Sequence, residues 1–150
     1  MPTPYRLTPT TPGDEAWLDA LRRAAYRDLF DATWGGWDEE RHRQHLAKSL
    51  GLGNIRAIEI DGARVGMLQV FEHADSVKIS EIQVDPRHQG RGIGTQVILD
   101  VVARAHAQGK KVVLATGLRN ARALALYRRL GFDVVAETET HHHLECRPEP

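Results

Sequence analysis

The chain has 150 residues, 41% of them hydrophobic, which is enough for one core burying roughly two-thirds of the unfolded surface; a single domain over residues 1–150 is expected. Twenty Lys and Arg balance twenty Asp and Glu, so no overall field gathers nucleic acid or an anionic membrane, and any charge-based recognition is local. No stretch approaches the ~20 apolar residues of a membrane span, the opening MPTPYRLTPTTPGDE has no apolar signal-peptide core, and the lone Cys146 excludes an internal disulfide or a multi-cysteine zinc site; a soluble cytoplasmic protein is expected.

Tyr5 to Thr8, bounded by prolines, suits a first strand. Beyond Pro12, Asp14 can cap a helix whose Trp17, Leu18, Leu21, Ala25 and Leu29 fall on one stripe ending near Phe30. WGGWDEE breaks the pattern, and Asp38, Glu39 and Glu40 give a second helix a cap and an acidic first turn; it should run to about Leu50. NIRAIEI and RVGMLQVFE are strands joined by Asp61-Gly62, a hairpin turn dipeptide, and VKISEIQV follows. Together they read as an antiparallel meander. Pro86 stops the third strand, and a glycine loop leads into a helix with Val97, Ile98, Val101, Val102 and Ala105 inward, closed by Gly109. KKVVLAT resumes a buried strand, so the strands around Ile82 and Val113 are expected to be parallel neighbours joined by a right-handed crossover. A helix from Asn120 to Leu130 and two strands, Asp133 to Ala136 and Thr138 to Glu145, complete an α/β fold with a mixed sheet.

The loop DPRHQGRGIGTQ has glycines at 90, 92 and 94. G-R-G-I-G lacks the spacing of a dinucleotide fingerprint, and the Gly-Lys-Ser/Thr of a phosphate-binding ATPase loop is absent. A strand, a glycine turn and a helix N-terminus nonetheless aim unpaired N–H groups and a positive dipole end at one spot, where a pyrophosphate fits. Arg87 and Arg91 could add charge-assisted contacts. The loop alone also fits a flexible turn with no ligand.

VDPRHQGRGIGTQVI resembles the acetyl-CoA motif of the GNAT N-acetyltransferases, Gln/Arg-x-x-Gly-x-Gly/Ala, here Gln89, Gly92 and Gly94. NARALALYRRLGF is similar to that family's second signature, here Asn120, Ala123, Tyr127, Leu130, Gly131 and Phe132. The resemblance implies a single-domain, mostly antiparallel mixed sheet, splayed at the cofactor and flanked by about four helices. It implies acetyl-CoA as donor co-substrate. The main chain of Ile82 and Val84 would bind its arm, the amides of Gln89, Gly90, Arg91, Gly92, Ile93, Gly94 and Thr95 its pyrophosphate, and Asn120 the arm from the other side.

Acetyl transfer to an amine needs a neutral amine, a polarised thioester carbonyl and a proton for the thiolate. An alkyl amine of pKa about 10.4 and a thiol of about 8.5 call for both a base and an acid. Tyr127, at the family's tyrosine position, is the candidate acid; from periodicity alone it is a core residue between Leu124 and Leu130. Glu81 is the candidate base, directly or through a water, and a solvated glutamate on the other face of the sheet is the competing reading. Glu139, His141 and His143 on the last strand, or Glu72 and His73, could serve instead, and an N–H near Val84 is the expected carbonyl donor. Trp34, Gly35 and Gly36 are candidates for the amine pocket, against the alternative that the local aromatics only pin the helices. His42 and His45 read as a solvated face, and Lys110 and Lys111 as a helix end. The expectation is acetyl transfer to a primary amine, on a small molecule or a peptide, with no metal, nucleic acid or membrane partner. Dimers are common in such proteins. A non-catalytic acyl-CoA-binding sensor is the alternative.

Overall fold

The computed structural model describes residues 3–33 and 37–150, and the side chains of all of these but 27–33. Strand β1 (Arg6–Pro9) leads through a 3-10 turn (Pro12–Asp14) to α1 (Glu15–Thr33) and α2 (Glu39–Leu52). Strands β2 (Ile55–Ile60), β3 (Ala63–Glu72) and β4 (Ser76–Val84) form the meander. After them come α3 (Ile93–Ala107), β5 (Lys111–Gly117), α4 (Ala121–Arg129), β6 (Asp133–Glu137) and β7 (His141–Cys146). The sheet has seven strands in the order β1-β2-β3-β4-β5-β7-β6. The expected mixed, mostly antiparallel architecture is what the chain adopts.

The chain divides into two compact units, Met1–Gln69 with Glu81–Gly94, and Val70–Ser80 with Thr95–Pro150. In the first, Asp14 does not stand at the head of α1. It lies in the preceding 3-10 turn, where its carboxylate accepts from the Thr11 N–H at 2.8 Å and from Arg64 Nη1 at 2.7 Å. Asp38 caps α2 as expected, its side chain accepting from Arg41 N–H at 3.1 Å. Leu18 and Leu21 of α1, Leu46 of α2, Ile55 of β2 and Met67 of β3 bury one another, with Trp17 and Leu50 packed against them. The far end of α2 is closed by a strand side chain: Gln69 Nε2 donates to the carbonyls of Ser49 (2.9 Å) and Gly53 (2.7 Å), while Ser49 Oγ donates to Gln69 Oε1. These bonds give the Gly53 carbonyl, past the helix end, a partner, while the Ser49 carbonyl also accepts from the Gly53 N–H at 3.3 Å.

The β2–β3 turn has positive φ at Asp61 (51°) and Gly62 (80°), the pair of left-handed residues that a tight hairpin requires. Gly66 in β3 is a glycine for a different reason. A Cβ there would stand 2.2 Å from the Gln83 carbonyl oxygen of β4, so the two main chains approach more closely than any side chain permits. Asp85 N–H donates to Val65 O at 2.8 Å just beyond.

In the second unit, Val97, Ile98, Val101, Val102 and Ala105 of α3 are all buried, as their spacing predicts. β4 and β5 are parallel, but the ladder contains only Ser76↔Lys111, Val77↔Val112 and Lys78↔Val113, and it ends before Ile82. β7 is shorter than expected, because residues 138–140 form a turn in which Thr138 N–H donates to His141 O at 2.8 Å. Glu139 is therefore off the strand that carries His141 and His143. Lys111 belongs to β5 rather than to a helix end, and its Nζ donates to Glu145 at 2.8 Å.

Replacing Gly66 by Ala should cost about 1–3 kcal/mol through overpacking against a backbone that cannot retreat. Urea unfolding checks this; a wild-type midpoint would show that the close approach is not required.

Candidate active site

Glu81 of β4 lines a cavity together with residues of α1 and α2, with only 11% of its side chain exposed. It shares the strand face of Gln83, which is buried, so of its two possible faces it occupies the inner one. Gln83 Nε2 donates to Glu81 Oε2 at 2.9 Å, and His45 Nε2 of α2 contacts Glu81 Oε1 directly. Burial pushes the Glu81 carboxyl up to about 7, a rise that the Arg22 charge only partly offsets. Burial also pushes His45 down to about 4, helped by the charges of Arg22, Lys48 and His42. Both shifts favour neutral forms, so His45 is a neutral imidazole whose Nε2–H can donate to Glu81 Oε1 without a full ion pair.

Arg22 lies on the apolar stripe of α1 yet is 9% exposed. Its Nη1 donates to His42 Nδ1 at 2.9 Å, and because guanidinium has only donors, the other ring nitrogen must carry the proton it shares with Asp19 Oδ1 at 2.6 Å. Arg22 Nε is buried without a protein partner, and Arg22, His45, Glu81 and Gln83 line one small cavity. His42 is 1% exposed, which overturns the solvated face expected for it, whereas the His45 side chain is 43% exposed, as expected, and reaches Glu81 through its Nε2 edge. Their i, i+3 spacing puts both on the side of α2 that carries Leu46 and Ser49, and carboxylates remote in sequence make that side habitable for them. Trp37 packs on His42, ring centroids 5.0 Å apart, and its Nε1 donates to Glu39 at 3.0 Å. Trp34, Gly35 and Gly36 lie outside the described residues.

Beyond Val84 the loop makes one more turn, Pro86–His88, capped by Asp85. Arg87 is held by Asp85, with Nη2 donating at 2.9 Å, while Arg91 is exposed. The Gln89 N–H donates to Pro86 O at 3.3 Å, and its side chain to Val84 O at 3.0 Å. Among the described residues, the amides from Gly90 to Gly94 make no turn or cap bond to the protein. Gly90 and Gly92 have φ of 80° and 76°, which explains those two glycines. Gly94 has no such φ, and a Cβ on it would make only an ordinary 3.7 Å contact with Val84.

In the second unit, Asn120 caps α4, its Oδ1 accepting from Ala123 N–H at 3.1 Å. Tyr127 projects from that helix and meets Phe132 edge-on, centroids 5.8 Å apart. Burial raises its phenol above the usual value, which keeps it protonated at neutral pH. Phe132 is 1% exposed, and Gly131, at φ 99°, turns the chain into it past Cys146 Sγ. His45, Gln83 and Arg22 are the members of the Glu81 cluster that the sequence reading missed. The available signal was an arginine inside an apolar stripe, at Leu18-x-x-Leu21-Arg22.

A family model, the Acetyltransferase (GNAT) family, matches residues 15–132. The chain belongs to that family. It is 38% identical over 73 residues to the N-alpha-acetyltransferase RimI of Mycobacterium tuberculosis, covering 49% of this chain and 42% of that one. To the L-methionine sulfoximine/L-methionine sulfone acetyltransferase of Pseudomonas aeruginosa it is 33% identical over 121 residues, covering 80% and 58%. The chain thus spans about half the length of the curated relatives it matches. Among solved structures, the PaiA N-acetyltransferase of Thermoplasma acidophilum in complex with coenzyme A has the same fold: TM-score 0.73, 14% identity, 97% of this chain and 99% of that one.

Because Glu81 titrates higher in the fold than its ordinary 4.5, the native state holds that proton more tightly than the unfolded chain does. Its stabilising share is complete below 4.5 and is lost as pH rises through about 7. Thermal unfolding of Glu81→Gln and wild type at pH 5 and pH 8 should show a melting-temperature gap that moves in favour of the variant at the higher pH. A gap independent of pH would place Glu81 in water.

Proposed function

We propose that the chain transfers an acetyl group from acetyl-CoA directly to a primary amine, with Glu81 as base and Tyr127 as acid. The observation that carries the cofactor half of this reading is Gly94, whose missing side chain is required neither by backbone angle nor by protein packing. It sits in the first turn of α3, within a run of amides that no protein acceptor takes up among the described residues. A diphosphate approaching the main chain gives that glycine a purpose, since its oxygens would accept from N–H groups at the positive end of the helix. Family membership supports the same donor. The acetyl-CoA arm is assigned to the main chain near Ile82 and Val84, and to Asn120, by motif position.

Glu81 supports the catalytic half. Against an amine of about 10.4, a carboxylate at about 7 narrows the proton-transfer mismatch by roughly 3 kcal/mol relative to an ordinary glutamate. The ammonium gives one proton to Glu81, the freed lone pair attacks the thioester carbon, and the C–S bond breaks as the tetrahedral adduct collapses and its nitrogen loses a second proton to water. Tyr127, kept protonated by burial, hydrogen-bonds and protonates the departing thiolate. The relatives' names point to two acceptor classes, a peptide N-terminus and the α-amine of a methionine-like amino acid. The amine pocket is assigned, more loosely, to the segment around Trp34, Gly35 and Gly36.

Gly94→Ala should fold at least as well as wild type, because alanine gains up to about 1 kcal/mol over glycine in a helix, yet bind coenzyme A at least tenfold more weakly by calorimetry. Undiminished affinity would remove the loop from the cofactor site. Thiol release from acetyl-CoA is then followed with an alanyl-start peptide, L-methionine sulfone and spermidine as acceptors. Turnover should fall on the acid side of about pH 7, in line with the raised Glu81 carboxyl. It should drop roughly 10²-fold or more in Glu81→Gln and in Tyr127→Phe, with coenzyme A affinity kept in the latter. Tight coenzyme A binding without turnover of any amine would favour the sensor.

A further inference from the structure

Glu81 has two polar side chains in direct contact among the described residues, and they differ in kind. Gln83 on its own strand donates to Oε2 at 2.9 Å and cannot titrate. His45, from α2, meets Oε1 and can. The other charged groups facing the pair are fixed in state or committed elsewhere. Arg22 of α1 lines the same cavity but gives its Nη1 to His42, and no hydrogen bond joins it to Glu81. His42 is locked between Arg22 and Asp19. Lys48 acts on His45 only through its field. The remaining wall is formed by Leu18, Leu46, Ile55 and Met67, with Ser49, whose hydroxyl donates to Gln69. The carboxylate thus depends on one histidine for the orientation of Oε1 and for a donor that favours its ionised form. That histidine is itself 43% exposed, so its ring keeps far more contact with water than Glu81, at 11%, does.

We propose that His45 is a positioning residue for the base: by donating Nε2–H to Glu81 Oε1 it aims the carboxylate and holds it ionised, so that His45 and Glu81 act as one proton-accepting pair. The assignment rests on the reading of Glu81 as the base. His45 bonds to Glu81 rather than to the substrate, and no proton leaves the ring during the cycle. Loss of the donor removes a hydrogen bond made only to the charged carboxylate, which moves its titration upward. Glutamine at position 45 retains an N–H donor and loses the imidazole.

The test compares His45→Ala and His45→Gln with wild type, using the best acceptor among the alanyl-start peptide, L-methionine sulfone and spermidine. In His45→Ala the acid limb of kcat/KM should move up by about one pH unit, with turnover at pH 7 reduced roughly fivefold to tenfold and restored to near wild type by pH 9. His45→Gln should keep most of the pH 7 rate and an acid limb close to that of wild type. A purely structural role would lower the rate equally at every pH, and that outcome, or an unmoved limb, overturns the proposal. Titration of Glu81 by carbon-13 NMR needs no acceptor: its midpoint should rise in His45→Ala and stay near wild type in His45→Gln, and unchanged midpoints in both overturn the pair. Full activity in Glu81→Gln would defeat the base reading instead, while the NMR titration still decides whether the pair exists.

Discussion

A carboxylate removed from water must be compensated by donors and charge nearby, or it takes up a proton. Glu81 is in that position, and much of the first compact unit is arranged around the problem. Gln83 and His45 contact it, and Arg22 stands close enough to temper the burial. Arg22 is in turn held by His42, and His42 by Asp19. The compensation is incomplete. A glutamate neutralised fully by a bidentate arginine would titrate low and make a poor base, whereas one left alone among Leu18, Leu46 and Met67 would stay protonated. Giving the guanidinium's Nη1 to a histidine, and only its field to the glutamate, leaves the carboxyl between these extremes.

The second constraint is geometric. Gly66 allows the Gln83 carbonyl to press against β3, and the Asp85 amide then reaches Val65. This close approach fixes the end of β4 two residues from Glu81 and sets where the glycine loop departs. Glu81, the proposed base, and the start of the glycine loop are therefore tied to the same piece of main chain. The aromatic residue after the α1–α2 break serves the same end from the helix side: Trp37 stacks on His42, and Glu39 takes both Trp37 Nε1 and the Arg23 guanidinium, steadying the helices that carry Arg22 and His45.

What could be read from the sequence was whatever depends on local periodicity and punctuation. Asp38 as a cap, Asp61-Gly62 as a hairpin turn, the inward face of α3 and the parallel strand after it all follow from neighbours within about ten residues, and each is present. The second signature resolved into a capped helix with Asn120 and Tyr127 at the motif positions. The readings that failed were those in which a polar residue's surroundings come from far along the chain. His42 on a charged helix suggests a solvated face, but Asp19, which holds it, lies 23 residues away, and the Glu81 that exposed His45 contacts belongs to a strand three elements after α2. Strand alternation alone left the face of Glu81 undecided, since Ser76 to Val84 mixes apolar and polar residues on both sides. Asp14 was read one turn out of place, because a capping residue and the acidic residue reaching back to it look alike in sequence.

The glycines of the loop separate cleanly once backbone angle and packing are considered apart. Gly90 and Gly92 occupy left-handed conformations that any turn of this shape would demand, with or without a ligand. They carry no information about binding. Gly94 begins a helix, where glycine is the costliest residue short of proline, and nothing in the protein crowds the place its side chain would fill. A destabilising choice that neither backbone angle nor packing requires is what the proposed diphosphate accounts for, as a ligand approaching the first turn of α3 from solvent. On that proposal the loop amides, which no protein acceptor takes up among the described residues, would meet the ligand's negative charge.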